Sequence, residues 1–332
     1  MIIKEIGRKE NRIARMLSSE PLKNDPRNHC VPVLEVIDNP SNASRFYLVM
    51  PLLRSVDDPP FDRVKEIVDF VDQMLEVCPR LIAEFEPHLR MAGACVSARE
   101  RGSSSVTNNH TTYGSRTYLS PSDCVKANLM MDADAMYPEG FHPVATMRKP
   151  DYSGYATYIP RSAAGVKYYY IDFGISVHIP KDASKLVEGR LGRDQTPPEL
   201  SKRDPYDPFK LDVYILGNMF KRELTGVRIY FCPVTLPSCA DCLKKYTNLE
   251  FLTSLAEIMT QATPHQRPSA QEALSLWREI KKTIGTIHSE WRPRSVDEDC
   301  FQRFARDVVS SYLVFMHFAR AMVESILGFI SG

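Results

Sequence analysis

The sequence predicts an α+β chain, strand-rich near its start and mainly helical after that. Three observations carry the expectation. Residues 30–37 (CVPVLEVI) and 46–53 (FYLVMPLL) are runs of strand-forming residues parted by the turn-rich DNPSNAS. A third such run, 166–171, ends in Asp172-Phe173-Gly174. Apolar residues return at helical spacing at Val64, Ile67, Val68, Val71, Met74 and Leu75, and apolar helical segments follow late in the chain.

Taken in order, residues 1–4 (MIIK) form a short apolar run ending in a lysine. Residues 5–17 carry Ile6, Ile13, Met16 and Leu17 among charges and suit an amphipathic helix. The two strands follow, the second closed by Pro51 and the DDPP of 57–60. Helical spacing then holds over 61–77. From 78 to 122 it is lost: ARERGSSSVTNNHTTYGSRTYLSPS is polar and aperiodic, and reads as an irregular insert. Regular signal resumes at 123, with a Pro/Gly/Tyr-rich insert at 137–161 and a loop at 182–202. Helices are expected at 212–224, 249–260 and 269–282, the first two separated by a Pro- and Cys-rich irregular piece at 226–240. A polar linker, 290–299, leads to a last helix at 301–330.

Composition excludes little but sets limits. At 332 residues the chain can bury a sizeable core. A net charge of +1 gives no global field directed at nucleic acid. The N-terminus has no apolar core of signal-peptide length, so a cytoplasmic or nuclear location is expected. The eight cysteines are scattered and read as free thiols. Cys239-x-x-Cys242 suggests zinc, but a structural site wants four ligands and only Cys232 is near. Lys281, Lys282, Arg292 and Arg294 read as a solvated basic face. The last helix is nearly apolar, yet His317, Arg320 and Glu324 interrupt it. A spanning role is therefore not expected, and docking on the domain or a partner is, with a membrane-surface helix as the alternative.

The chemistry-bearing residues form an ordered series. Asp123 stands five residues before Asn128, which is followed by the apolar Leu129-Met130-Met131. Asp172-Phe173-Gly174 comes next, then Pro198-Glu199, then Asp212 with Gly217 five residues on, then Arg267-Pro268. In this order the series resembles the protein-kinase family. With SSEPL, VMPLLR, DDPPF, YPEGFHP and VKYYYIDFGIS it is similar to fungal protein-kinase-like proteins, over roughly residues 1–76 and 123–282.

The resemblance implies a bilobal kinase-like fold: a partial N-lobe and hinge at 1–53, a mainly helical C-lobe at 54–283, and a linker and helical tail at 284–332. It implies ATP and Mg²⁺ as cofactors and a protein Ser/Thr hydroxyl as acceptor. Asp123 would receive the hydroxyl proton, and Asn128 and Asp172 would hold metal. Lys4 would hold the α/β-phosphates with Glu10 as its helix partner, and Met50, Leu52 and Met130 would border the adenine. Phe173, Gly174, Glu199, Asp212 and Arg267 would be structural, with a buried Glu199–Arg267 ion pair.

Three departures qualify this. No Gly-rich strand pair precedes Met1, Pro121-Ser122 stands where the family has His-Arg, and 78–122 stands where an apolar helix should lead into the catalytic loop. They imply weak or absent transfer, with a pseudokinase acting as a binding module as the alternative. A small-molecule kinase on the same fold is the third reading, disfavoured by the Glu199, Asp212 and Arg267 frame.

Overall fold

The computed structural model describes residues 1–332 apart from 21, 83–116, 121–122, 181–185, 191, 202–203, 226–245 and 332. It is an α+β structure of small antiparallel sheets with helices packed against them. Strand β1 (Ile2–Gly7) pairs antiparallel with β3 (Arg45–Met50), and β2 (Glu35–Asp38) lies on the far side of β3. The register sets Lys4 opposite Leu48 and Ile2 opposite Met50. Helix α1 (Arg8–Leu17) leaves β1 without a linker and buries Ile13, Ala14 and Leu17. It starts three residues later than periodicity suggested. Residues 5–7 fit a helical period, but their backbone groups are taken by the ladder to β3.

The second sheet has the order β4 (Arg54–Ser55), β6 (Leu129–Asp132), β7 (Lys167–Tyr170). Leu129 and Met131 turn into the core, as do Tyr168 and Tyr170. Period-2 alternation thus puts Met130 and Tyr169 on the other face, where both are only partly buried. The expected strand at 30–37 is shorter than read, because residues 29–31 are taken by β7. Tyr170 N–H donates to His29 C=O at 2.7 Å, and Val31 N–H donates to Tyr170 C=O at 3.0 Å.

Helix α2 (Val64–Ile82) is the central core helix. Val64, Ile67, Val71 and Met74 have no measurable exposure. Its N-terminal turn is fixed by Glu66, whose carboxylate accepts from Asp62 N–H at 2.8 Å. The expectation of a wholly irregular 78–122 is corrected at both ends. α2 continues to Ile82, and Thr117–Ser120 is strand β5, paired antiparallel with β8 (Val177–Pro180). The partner of β5 lies about sixty residues away in sequence, so a local pattern could not have revealed it. The 226–240 insert, Pro121-Ser122 and the Cys232, Cys239 and Cys242 group lie outside the described residues.

A short helix α3 (Arg161–Ala164) precedes β7. Helix α4 (Pro208–Phe220) begins at an Asp207 cap, whose Oδ1 accepts from Phe209 N–H at 2.8 Å, with Pro208 in the first turn. That cap places its start four residues before the expected one, ahead of the apolar run. Gly217 is required where α4 meets α5 (Thr253–Met259): a Cβ there would lie 2.6 Å from Met259 Cβ. Helix α6 (Ala270–Lys282) opens on a capping box of Ser269 and Glu272 and buries Trp277 completely. Two helices follow, α7 (Thr286–Glu290) and α8 (Cys300–Ser331).

The solvated basic face expected at 281–294 is corrected in part. Lys281 pairs with Asp72, and Arg292 is bound by Glu298 at 2.7 Å and Asp307 at 2.7 Å. Arg294 reaches Asp307 at 2.9 Å. Arg292 is drawn in to fasten elements together, Lys281 and Arg294 pair while still partly exposed, and Lys282 stays on the solvated face with only Glu279 of its own helix beside it. Among the described residues no helix is long and apolar enough to cross a membrane.

Candidate functional site

Lys4 leaves the middle of β1, and Glu10 lies on the first turn of α1. The direct β1–α1 junction brings them together, and Lys4 Nζ donates to Glu10 Oε1 at 2.8 Å. The same ammonium lies 3.1 Å from Asp172 Oδ1. One cation from the N-terminal sheet is thus shared by a carboxylate of its own helix and one that follows β7. Burial pulls the Lys4 ammonium down, but the Glu10 and Asp172 carboxylates more than offset this, leaving it above its ordinary value.

Asp172 sits at φ +65°, in the left-handed region that side chains other than glycine seldom adopt. Such a conformation costs on the order of 1 kcal/mol and persists only where surroundings enforce it. It turns the carboxylate off the end of β7 toward Lys4. Gly174 then passes so close that an added Cβ would sit 3.2 Å from Asp172 Oδ1 and 3.4 Å from Glu10 Oε2. Any larger residue here would press on two carboxylates, which would have to give by a few tenths of an ångström. Phe173 is buried in the main core and pins the turn from beneath.

Asp123 and Asn128 form the second part. Asn128 Nδ2 donates to the Asp123 carbonyl at 3.0 Å and to Asp123 Oδ2 at 2.8 Å. Both amide hydrogens face Asp123, so the oxygen Oδ1 is the atom of this buried side chain suited to a cation. Asp123 Oδ1 accepts from Arg193 N–H at 3.0 Å. Ile171 N–H donates to the Asn128 carbonyl at 2.9 Å, which sets residue 128 beside the residue preceding Asp172. The segment carrying the sequence-predicted acid and amide is therefore joined by a backbone hydrogen bond to the one carrying the second acid.

A divalent ion would need more than these side chains supply. Among the described residues no group of three or more His, Cys, Asp or Glu side chains could hold a metal alone. One carboxylate and one amide oxygen suit magnesium only if phosphate oxygens and water complete the shell, which is how that ion is usually held.

The remaining predicted residues fall in two places. Met50 ends β3 and is buried, while Leu52 beyond it is partly buried against the core. Ser55 in β4 pairs with Met130 in β6, so the chain after β3 returns alongside Met130. Farther off, Arg267 donates from both terminal nitrogens to Glu199, at 2.5 and 2.8 Å, as the sequence suggested. Arg267 also donates to the carbonyls of Gln261 and Lys210 and stacks 4.5 Å over Tyr214. Asp212 is buried in α4.

Sequence reasoning missed Lys126 and Arg193. Lys126 pairs with Asp57 at 2.6 Å and Glu223 at 3.2 Å. With Arg193, Asp194 and Met219 it lines a cavity of about 250 Å³ beside the Asp123 loop. Its position between Asp123 and Asn128 was the available signal. A scan against protein-family models and a search of curated proteins both give no match.

Proposed function

We propose that this chain is a protein-kinase-like domain that binds ATP with magnesium and, at family level, transfers a phosphoryl group to a protein Ser/Thr hydroxyl. The observation that carries the reading is the sharing of Lys4 by Glu10 and Asp172 beside the linked Asp123–Asn128 pair. Two sheet-borne segments and one loop converge there, in the chain order that kinase chemistry uses. Lys4 would hold the α/β-phosphates, oriented by Glu10. Asn128 Oδ1 and Asp172 would hold magnesium, which neutralises charge on the transferred group. Asp123 would orient the acceptor hydroxyl. Met50, Leu52 and Met130 would border the adenine, and Glu199, Asp212 and Arg267 would brace the frame. On this reading residues 1–53 are a partial N-lobe and 54–283 the C-lobe.

A second reading, nucleotide binding without transfer, draws on a specific contact. Both oxygens of Asp123 already accept hydrogen bonds, from Asn128 and from the Arg193 backbone. A substrate hydroxyl would have to share an oxygen with one of these donors, which draws off part of the charge that a base needs, so transfer is expected to be weak. Binding is tested by thermal unfolding with Mg²⁺-ATP. Ligand at about one hundred times Kd stabilises by about 2.7 kcal/mol. A raised Tm that disappears in Asp172→Ala supports the site, and no shift at millimolar nucleotide refutes it. Phosphorylation of a generic substrate, lost in Asp123→Ala, would decide for transfer over binding alone.

A further inference from the structure

Helix α8 is amphipathic in an inverted sense. The side facing the rest of the chain is mainly polar, with Val314 as its buried apolar residue: Asp307 binds Arg292 and Arg294, Ser310 Oγ accepts from Arg292 N–H, and His317 approaches Glu290. The opposite side is apolar and exposed. Val309, Tyr312, Met316, Val323 and Ile326 are all close to half exposed or more. With Ala319, these residues are spaced three, four, three, four and three apart. That is a heptad seam, and it runs along the face turned away from the domain.

We propose that this seam is the contact between two copies of the chain, paired through antiparallel α8 helices. Area is the first argument. The five large seam residues and the exposed Val308, Leu313, Phe315, Met322 and Leu327 that flank them present ~1,000 Å², taking about 100 Å² for each half-exposed large residue. That exceeds the few hundred Å² of a usual monomer patch and is near the ~800 Å² per partner of a standard interface. Size complementarity is the second. Antiparallel pairing with the twofold axis between residues 317 and 318 sets Met316 against Ala319 of the other copy, twice. Tyr312 then meets Val323, and Val309 meets Ile326. Parallel pairing would oppose Ala319 to itself and leave a void, which is destabilising. Charge is the third. α8 contains no lysine, and of its three arginines Arg306 pairs with Glu298 at 2.8 Å and Arg320 with Glu324 of the same helix at 2.9 Å. The basic polar face by which helices hold anionic lipid surfaces is therefore lacking.

Sedimentation velocity of the full chain between about 1 and about 100 µM tests this. A concentration-dependent dimer is expected. Ala319→Glu and Met316→Lys, both on the seam, should each weaken it about tenfold or more by placing a charge in the central layer. Mixing the two variants should restore a heterodimer, because antiparallel register sets the carboxylate introduced at 319 against the ammonium introduced at 316. A monomer throughout, a dimer indifferent to Ala319→Glu, or no recovery on mixing overturns the proposal. Binding to phosphatidylcholine–phosphatidylserine vesicles without self-association overturns it in favour of a lipid surface.

Discussion

At Lys4, a single ammonium holds together two carboxylates that would otherwise repel. The Glu10 side chain is only 10 % exposed, so removing the cation strands a nearly buried charge. Water reaches Lys4 and discounts the loss, so Lys4→Met is expected to lower stability by about 1–2 kcal/mol. Adding Glu10→Met to that variant should recover most of it, since the buried charge is then gone as well. Neither variant should show a Tm shift with Mg²⁺-ATP. Urea unfolding of both, with and without nucleotide, checks this. Full nucleotide stabilisation in the double variant would remove Lys4 from the site. His29, by contrast, is a residue the site does not use. It is buried, and its Nδ1 lies 2.9 Å from the Tyr168 carbonyl, which can only accept, so the hydrogen sits on Nδ1.

Among elements, the Glu199–Arg267 pair ties the 198–201 turn to the loop before α6. Arg267 has no exposed side-chain surface, and the pair is bidentate, so loss of one partner leaves a buried charge. Arg267→Met is expected to cost about 3–5 kcal/mol, and Glu199→Leu with Arg267→Met markedly less. Equal losses in the single and double variants, measured by chemical unfolding, would show that packing and not charge dominates there. This pair was legible because each residue sits beside a proline at a recognisable place in the series. α2, β7 and α6 were legible as well, from apolar period and strand-forming residues. β1 was not: its alternation is masked by an overlapping helical period, and only pairing with β3 decides the matter. β5 was hidden in a polar stretch because its partner β8 is remote. At the site, the acidic and amide residues were readable from their spacing. The Arg193 and Lys126 contacts were not, since they depend on where two loops close on one another.

For the molecule as a whole, pH sums these local balances. Burial pushes His29 down to about 4, against 6.5 when unfolded. The folded state keeps the imidazole neutral while the unfolded chain protonates it. Stability from this residue is therefore full above about pH 6.5 and falls as pH drops toward 4. The loss amounts to about 3 kcal/mol at about 1.36 kcal/mol per unit. Glu290 behaves in the same direction but later. Burial alone would raise it, yet Lys65 and Arg63 outweigh burial and hold it below its ordinary 4.5. Its contribution is present above 4.5 and disappears below. On the alkaline side the first loss comes from Cys30, whose burial pushes its thiol far above the ordinary 9.0, then from Tyr168 and Tyr246, which burial pushes from 10.0 up to about 12, and last from the Lys4 ion pairs, which persist through 10.5. Stability should accordingly form a plateau from about pH 6.5 to about 9 with an acid limb that starts in the histidine range and an alkaline limb that starts in the thiol range. In His29→Gln the amide can still donate to Tyr168 but cannot take up a proton. That variant should stay level down to the carboxylate range, so its curve and the parent's diverge between pH 6.5 and 4. Superimposable curves from urea unfolding at half-unit steps would mean that the ring escapes to water on protonation, and that this buried contact does not govern acid stability.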